Sequence, residues 1–234
     1  MVPRSGGEAD KLGNKYELAW AVRHALYCVR NDRCALTLED NDVEVGRGSE
    51  FTYDTGTFVE VHQVKRQNGN SNGWTVRELA DRKIFDAAVR HVAAGRHYHF
   101  VSLTPCRPLQ ELSERARKSE DLVDFTSHWI PQDLQSVFDQ LVAVAVLGSP
   151  QAAWDTLRGM WFKVHDECDV MGTNNMLAEC SFSGANGDLI SLAVGDILLN
   201  NLGKRMTRTE LLELLAERGI KPLALGAYQS AREQ

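Results

Sequence analysis

An α/β fold followed by a helical part is what the sequence predicts, and three observations predict it. Residues 57–65, TFVEVHQVK, alternate with period two and carry the β-branched residues that favour strands. The segments before and after it, opening at Leu12 and at Val76, repeat apolar residues at helical spacing. Beyond Pro108 the strand signals give way to long amphipathic stretches.

Taken in order, residues 1–10 are a polar, Gly-rich lead-in. Tyr16, Ala19, Trp20, Leu26 and Val29 then mark one helix, which Asn31 and Asp32 stop. Residues 34–39, CALTLE, alternate like a strand, the cluster Asp40-Asn41-Asp42 turns the chain, residues 43–45 resume the strand and residues 46–49 turn it back. After the strand of residues 57–65 comes a polar loop over 67–73. Thr75 is placed to cap a helix carrying Val76, Leu79, Ile84, Phe85, Ala88 and Val92. Residues 97–103, HYHFVSL, form another strand. Residues 1–107 are therefore expected as one α/β domain. Residues 108–234 are expected as an α-helical subdomain with helices over 109–118, 134–147, 152–165, 189–202 and 209–218.

The formal net charge of -6 runs against nucleic-acid binding until it is divided. Residues 1–118 hold 18 Lys and Arg against 16 Asp and Glu, and the remainder holds 8 against 16. Only the first part can present a phosphate-binding surface; the acidic part suits assembly or regulation. Five scattered cysteines with no CxxC pair indicate neither a disulfide framework nor a zinc cage, and buried thiols are expected. His97 and His99 share a strand face at a spacing that suits a metal, with no third ligand evident beside them. No apolar run is long enough for a membrane span, and residues 1–11 lack the apolar core of a signal peptide, so a cytoplasmic location is expected.

The chemistry sits on the strand of residues 57–65. Val61, Gln63 and Lys65 lie on one face, and Glu60 and His62 lie on the other, where His62 is expected to pack rather than react. A strand amide and Lys two residues apart, joined by Asp42 from the neighbouring strand and Glu17 from the first helix, can hold Mg²⁺ and a water. Asp40 is a substitute ligand for Asp42. Lys11, Lys15, Arg66, Arg77, Arg82 and Lys83 are candidate phosphate contacts. Trp154 and Trp161, seven residues apart, are expected on one face of a core helix.

The series GNKYE (13–17), LEDNDVEV (38–45), VHQVKRQ (61–67) and WTVRELADRKIF (74–85) resembles the double-stranded DNA endonuclease domain of bacterial anti-phage effectors. That domain is a branch of the PD-(D/E)xK, restriction-endonuclease-like superfamily, found in cyclic-oligonucleotide effectors, beside HerA-like ATPases and in STAND defence ATPases. The resemblance covers residues 6–105. It implies a mixed sheet flanked by helices, with Glu17 as the helix acid, Asp42 as the metal-binding Asp, Gln63 and Lys65 as the QxK pair, and Trp74-Thr75 opening a helix beside the site. Gln63 departs from the Asp or Glu general to the fold; its carbonyl oxygen can still ligate a cation but brings no charge.

The resemblance thus implies a weakly sequence-specific, Mg²⁺-dependent DNA endonuclease, with Mn²⁺ as an alternative cation and Lys65, Gln63, Asp42 and Glu17 as the working residues. Double-stranded DNA, further copies of the chain and an ATPase or sensor are the expected partners. No GxxxxGK[ST] loop is present, so an ATPase would be another chain or another segment. A catalytically inactive nuclease-fold adaptor is the rival reading, and a nuclease acting on RNA or single strands is a second.

Overall fold

The computed structural model describes residues 6–39, 49–66, 73–184 and 186–223, with side chains from residue 14 onward. Asp42 and Asp40, expected as ligands, and the strand expected at 43–45 lie outside the described residues, as does the side chain of Lys11.

Helix α1 (Gly6–Arg30) leads into β1 (Ala35–Leu38), β2 (Phe51–Asp54) and β3 (Val59–Lys65). The three strands run antiparallel in sequence order. The β2–β3 hairpin turns at Gly56, whose φ of +84° and whose approach to Arg33 leave no room for a side chain. A Cβ there would stand 2.9 Å from that of Arg33.

The single helix expected after Thr75 is two. Thr75 and Glu78 form a capping box at the start of α2 (Val76–Asp81), and Lys83, at φ +58°, breaks the path before α3 (Ile84–Ala93). Strand β4 (His97–Ser102) then pairs parallel to β3, the α2–α3 pair serving as crossover.

Residues 108–234, expected as an α-helical subdomain, also complete the sheet on both edges. Helix α4 (Arg107–Lys118), α5 (Leu122–Asp124) with a π-helical turn (Phe125–Trp129), α6 (Gln132–Val142) and α7 (Pro150–Gly159) lead to β5 (Met160–Val164), parallel to β4. The helix expected to reach residue 165 therefore ends at Gly159. That glycine lies hard against Val92, where a Cβ would meet the Val92 methyl groups at 2.4–2.6 Å. Trp161 consequently stands on a strand, not on one helix face with Trp154, which is buried in α7 as expected. Helices α8 (Glu167–Glu179) and α9 (Gly187–Leu199) precede β6 (Arg205–Thr207), antiparallel to β1, and α10 (Arg208–Glu217) follows.

The result is a mixed six-stranded sheet, order β5-β4-β3-β2-β1-β6, with a hydrophobic core on each face. One face carries α1 and α8–α10, the other α2–α7. Fully buried Tyr16, Leu26, Leu36 and Phe51 anchor the first core, and Phe85, Tyr98, Phe100 and Leu112 the second. Each such side chain contributes about 1.5–3 kcal/mol through removal from water. Polar bonds fix α1 in place: Asn174 donates to the Ala19 carbonyl at 2.7 Å, and Tyr16 donates to the His165 carbonyl at 3.0 Å. Among the described residues no helix is long and apolar enough to cross a membrane, and all five cysteines are free.

Candidate active site

The site begins with strand parity. Gln63 and Lys65 share one face of β3, as alternation requires. The register pairs Phe51 with His62, and the Glu50 N–H donates to the His62 carbonyl at 2.8 Å. Glu50, one residue before β2, is thereby brought beside Gln63. The Gln63 amide nitrogen and the Lys65 ammonium both donate to Glu50 Oε1 at 2.5 Å. Glu17 comes from α1, its Oε1 3.9 Å from Lys65 Nζ. Three of the four expected residues therefore meet at one point, together with Glu50, which sequence reasoning missed. The signal available for Glu50 was the alternation of EFTYD, legible only once the β2–β3 register is known.

The electrostatics at this point are those of crowded acids. The side chains of Glu17, Glu50 and Lys65 are 22–29% exposed, dry enough to interact strongly and open enough to be reached. Burial raises the Glu17 carboxyl to about 7; Glu50 and Glu39 push it the same way and Lys65 opposes them. Glu39 ends β1 with φ at +49°, an uncommon conformation for a residue with a side chain, and its N–H donates to the Glu50 carbonyl at 2.9 Å.

The Trp74-Thr75 pair lies where it was expected. Ser102 is the β4 partner of Lys65, and Trp74 Nε1 donates to its hydroxyl at 2.7 Å. Arg82 stacks over the same indole at 5.1 Å. Gln63 opens onto a pocket of about 530 Å³ lined by Arg82, Lys83, Asp86 and Arg90. Other expected phosphate contacts are engaged elsewhere: Lys15 and Arg66 both pair with Glu167, at 3.8 and 3.3 Å, and exposed Arg77 faces Asp81 at 3.9 Å.

The donor set fits a hard cation. Two carboxylates and an amide oxygen are the ligand types Mg²⁺ takes, and a cation among them would offset the burial and the like charges that together hold Glu17 near 7. Among the described residues, though, the one group of three His, Cys, Asp or Glu with ligand atoms all within 4.8 Å of one another lies elsewhere: His24, Glu60 and His62, on the opposite face of β3.

In that second cluster both ring nitrogens of His62 are hydrogen-bonded. Trp20 Nε1, which can only donate, reaches His62 Nδ1 at 3.1 Å, so the imidazole proton sits on Nε2 and is donated to Glu60 at 2.9 Å. A metal on Nε2 would have to displace that proton while Nδ1 still accepts from the indole. His24 donates to the Trp20 carbonyl at 2.9 Å. Burial depresses the imidazoles of His24, His62 and His99 below the ordinary histidine range, with Lys163 adding to the effect. His62 is packed, as its parity predicted. His99 lies against it rather than in a metal site shared with His97, which stacks between Phe58 and Trp161.

No protein-family model matches the chain, and no curated protein matches it in sequence. Its fold is similar to that of the Acinetobacter baumannii Cap4 SAVED/CARF-domain containing receptor solved with the cyclic trinucleotide 3′3′3′-cAAA, with a TM-score of 0.51, 10% identity, and 93% of this chain aligned to 45% of that one. The corresponding Moraxella osloensis receptor gives a TM-score of 0.49 at 10% identity, over 88% of this chain and 47% of the other. The chain spans less than half the length of these receptors, and at this identity the likeness is one of fold.

Proposed function

We propose that the protein is a divalent-cation-dependent DNA endonuclease working at Lys65. One observation carries the reading: Lys65 and Gln63 converge on Glu50, with the Glu17 carboxyl beside them raised to about 7. Glu17, Glu50 and the Gln63 carbonyl oxygen would hold Mg²⁺ or Mn²⁺, and Asp42 keeps the ligand role that the sequence resemblance implies. When bound, the cation supplies charge neutralisation at the phosphate and lowers the pKa of water.

The chain's own residues supply the rest. Lys65, held at 2.5 Å from Glu50, is the positive group available to a phosphate oxygen or to the attacking water. Glu17, at a pKa of about 7, can hold a proton or release it near neutrality, as acid–base work at the leaving oxygen demands. Arg82 and Lys83 line the approach beside Gln63 and suit the flanking backbone phosphates. Among the described residues no recognisable base-reading element accompanies the site, in keeping with weakly sequence-specific cutting.

The sequence resemblance places such domains in anti-phage effectors restrained until assembly or a partner releases them. The fold likeness to a receptor solved with a cyclic trinucleotide is in keeping with that setting. Plasmid cleavage in Mg²⁺ tests the chemistry, with EDTA and Lys65→Ala as controls. Cutting lost in both controls supports the proposal, whereas equal cutting by Lys65→Ala overturns it. The second reading, an inactive nuclease-fold adaptor, is favoured by one observation: Gln63 contributes no negative charge where a carboxylate would. Calorimetry with Mg²⁺ and Mn²⁺ separates the two, since an adaptor of this kind binds DNA or an ATPase without binding the cation.

A further inference from the structure

The strands β4 and β5 begin at the end of the sheet opposite Lys65, and a cavity of about 750 Å³ opens there. Its walls bring together Arg96 from the α3–β4 turn, Arg117 from α4 and Arg158 from α7, against a single carboxylate, Asp155. Arg66, Arg77, Arg115, Lys204 and Arg218 each lie within 3.9 Å of a carboxylate. Among the described residues, no carboxylate lies at ion-pair distance from Arg96, Arg117 or Arg158.

Arg117 is also held in position. It donates to the Met160 carbonyl at 2.5 Å and to the Ser113 hydroxyl at 2.6 Å, and its guanidinium lies 4.6 Å over the Trp161 ring. A guanidinium fixed by neutral groups keeps its full charge for a ligand and loses little freedom on binding one. Burial lowers the Arg117 pKa, and Glu114 opposes that shift.

We infer that this cavity is an exosite for the sugar-phosphate backbone of the DNA substrate, remote from the point of scission. The inference rests on the proposed nuclease function for the identity of the ligand and on the arginine placement for the site. Helix α3 joins the two regions. Arg82 and Lys83, just before it, and Arg90, in its last turn, line the Gln63 pocket, and Val89, Val92 and Ala93 line the arginine cavity. The ten residues of α3 span about 15 Å. The run from His97 to Ser102 covers roughly 17 Å, about half a turn of B-DNA. One duplex lying along α3 can therefore touch both.

The test is fluorescence anisotropy on a labelled 20-base-pair duplex over a range of salt, in the Lys65→Ala background so that the probe stays intact. Arg96→Glu with Arg158→Glu is compared with Arg115→Glu with Arg218→Glu, an equal charge change on residues paired elsewhere. The exosite pair should weaken binding at least about tenfold and flatten the log–log salt dependence by about two, one for each lost phosphate contact, while the control pair moves affinity less than twofold. Arg96→Gln with Arg158→Gln, checked for an unchanged melting temperature, repeats the measurement with less risk to the fold. Equal losses in both pairs, or none in the exosite pair, overturn the inference. Cleavage by the native chain separates the two proposals. A chain that cuts DNA but ignores the arginine changes loses only the exosite, and one that binds through the arginines but never cuts loses only the chemistry.

Discussion

Adjacent residues of β3 belong to opposite kinds of polar cluster. Gln63 and Lys65 face Glu50 and Glu17 at a half-open edge where acids outnumber the one lysine. His62, the residue just before Gln63, faces Trp20, Glu60, His24 and His99 in a dry interior. Both clusters shift the pKa of their members, but with different meanings. In the first, a carboxyl is pushed up to about 7 by burial and by like charges, a tension that a cation or substrate can release. In the second, burial keeps imidazoles neutral, and the bonds of His62 run from indole to carboxylate in a closed chain. Proximity of titratable groups thus does not mark a site. What marks it is whether their hydrogen bonds close on one another or leave charge for something else.

Breaking each cluster should give different results. The largest effect is expected from Glu50→Ala, which removes the acceptor shared by Gln63 and Lys65. DNA cleavage should fall by about 10²- to 10³-fold, and any rise in melting temperature caused by Mg²⁺ should vanish. Retention of both in the variant would remove Glu50 from the site. Next is His62→Ala, which leaves a cavity and strips partners from Trp20 and Glu60. A loss of about 3 kcal/mol in urea unfolding is expected, with activity per folded molecule little changed. A large drop in specific activity without loss of stability would move His62 from scaffold to chemistry.

The smallest effect is on pH dependence. Glu17 in the folded chain keeps its proton up to about 7, whereas an unfolded chain releases it near 4.5. Between these values the folded state binds the extra proton, so stability from this group is highest below 4.5 and falls as pH rises through 7. Glu17→Gln should flatten that part of the melting-temperature profile and raise stability slightly at pH 8. In the native chain, Mg²⁺ added near pH 6.5 should release protons, seen as a buffer-dependent heat of binding. An unchanged profile in the variant would assign the slope to another group.

Much of this could be read from residues alone. The parity of β3 separated Gln63 and Lys65 from Glu60 and His62, and Thr75 declared the start of α2 through its capping box. The elements that escaped were those whose identity depends on partners distant in sequence. Strand β2 is four residues long and follows closely on the turn read at 46–49, so Glu50 had no assigned place until pairing with β3 gave it one. Strand β5 continues the apolar spacing of α7 and becomes a strand because β4 offers it an edge. Helix α8, with Gly172 and two asparagines in its interior, has a weak periodic signal and is held by its packing on α1.

The placement of α1 has a consequence for how the molecule is made. Its inner face is covered by α8, α9 and α10, and Trp20 lies 150 residues before Val170, a core residue of α8. At roughly 5–20 residues per second, a ribosome needs about 8–30 seconds to deliver that cover. During this interval the helix bearing Glu17 lacks its packing surface, and the far edge of the sheet waits still longer for β6. A nascent chain therefore passes the start of α8 before it can assemble the cluster at Lys65, and a product of premature termination ahead of α8 carries the QxK pair without the support that sets Glu17 beside it. For a nuclease of the kind proposed, translation order would itself act as a safety catch.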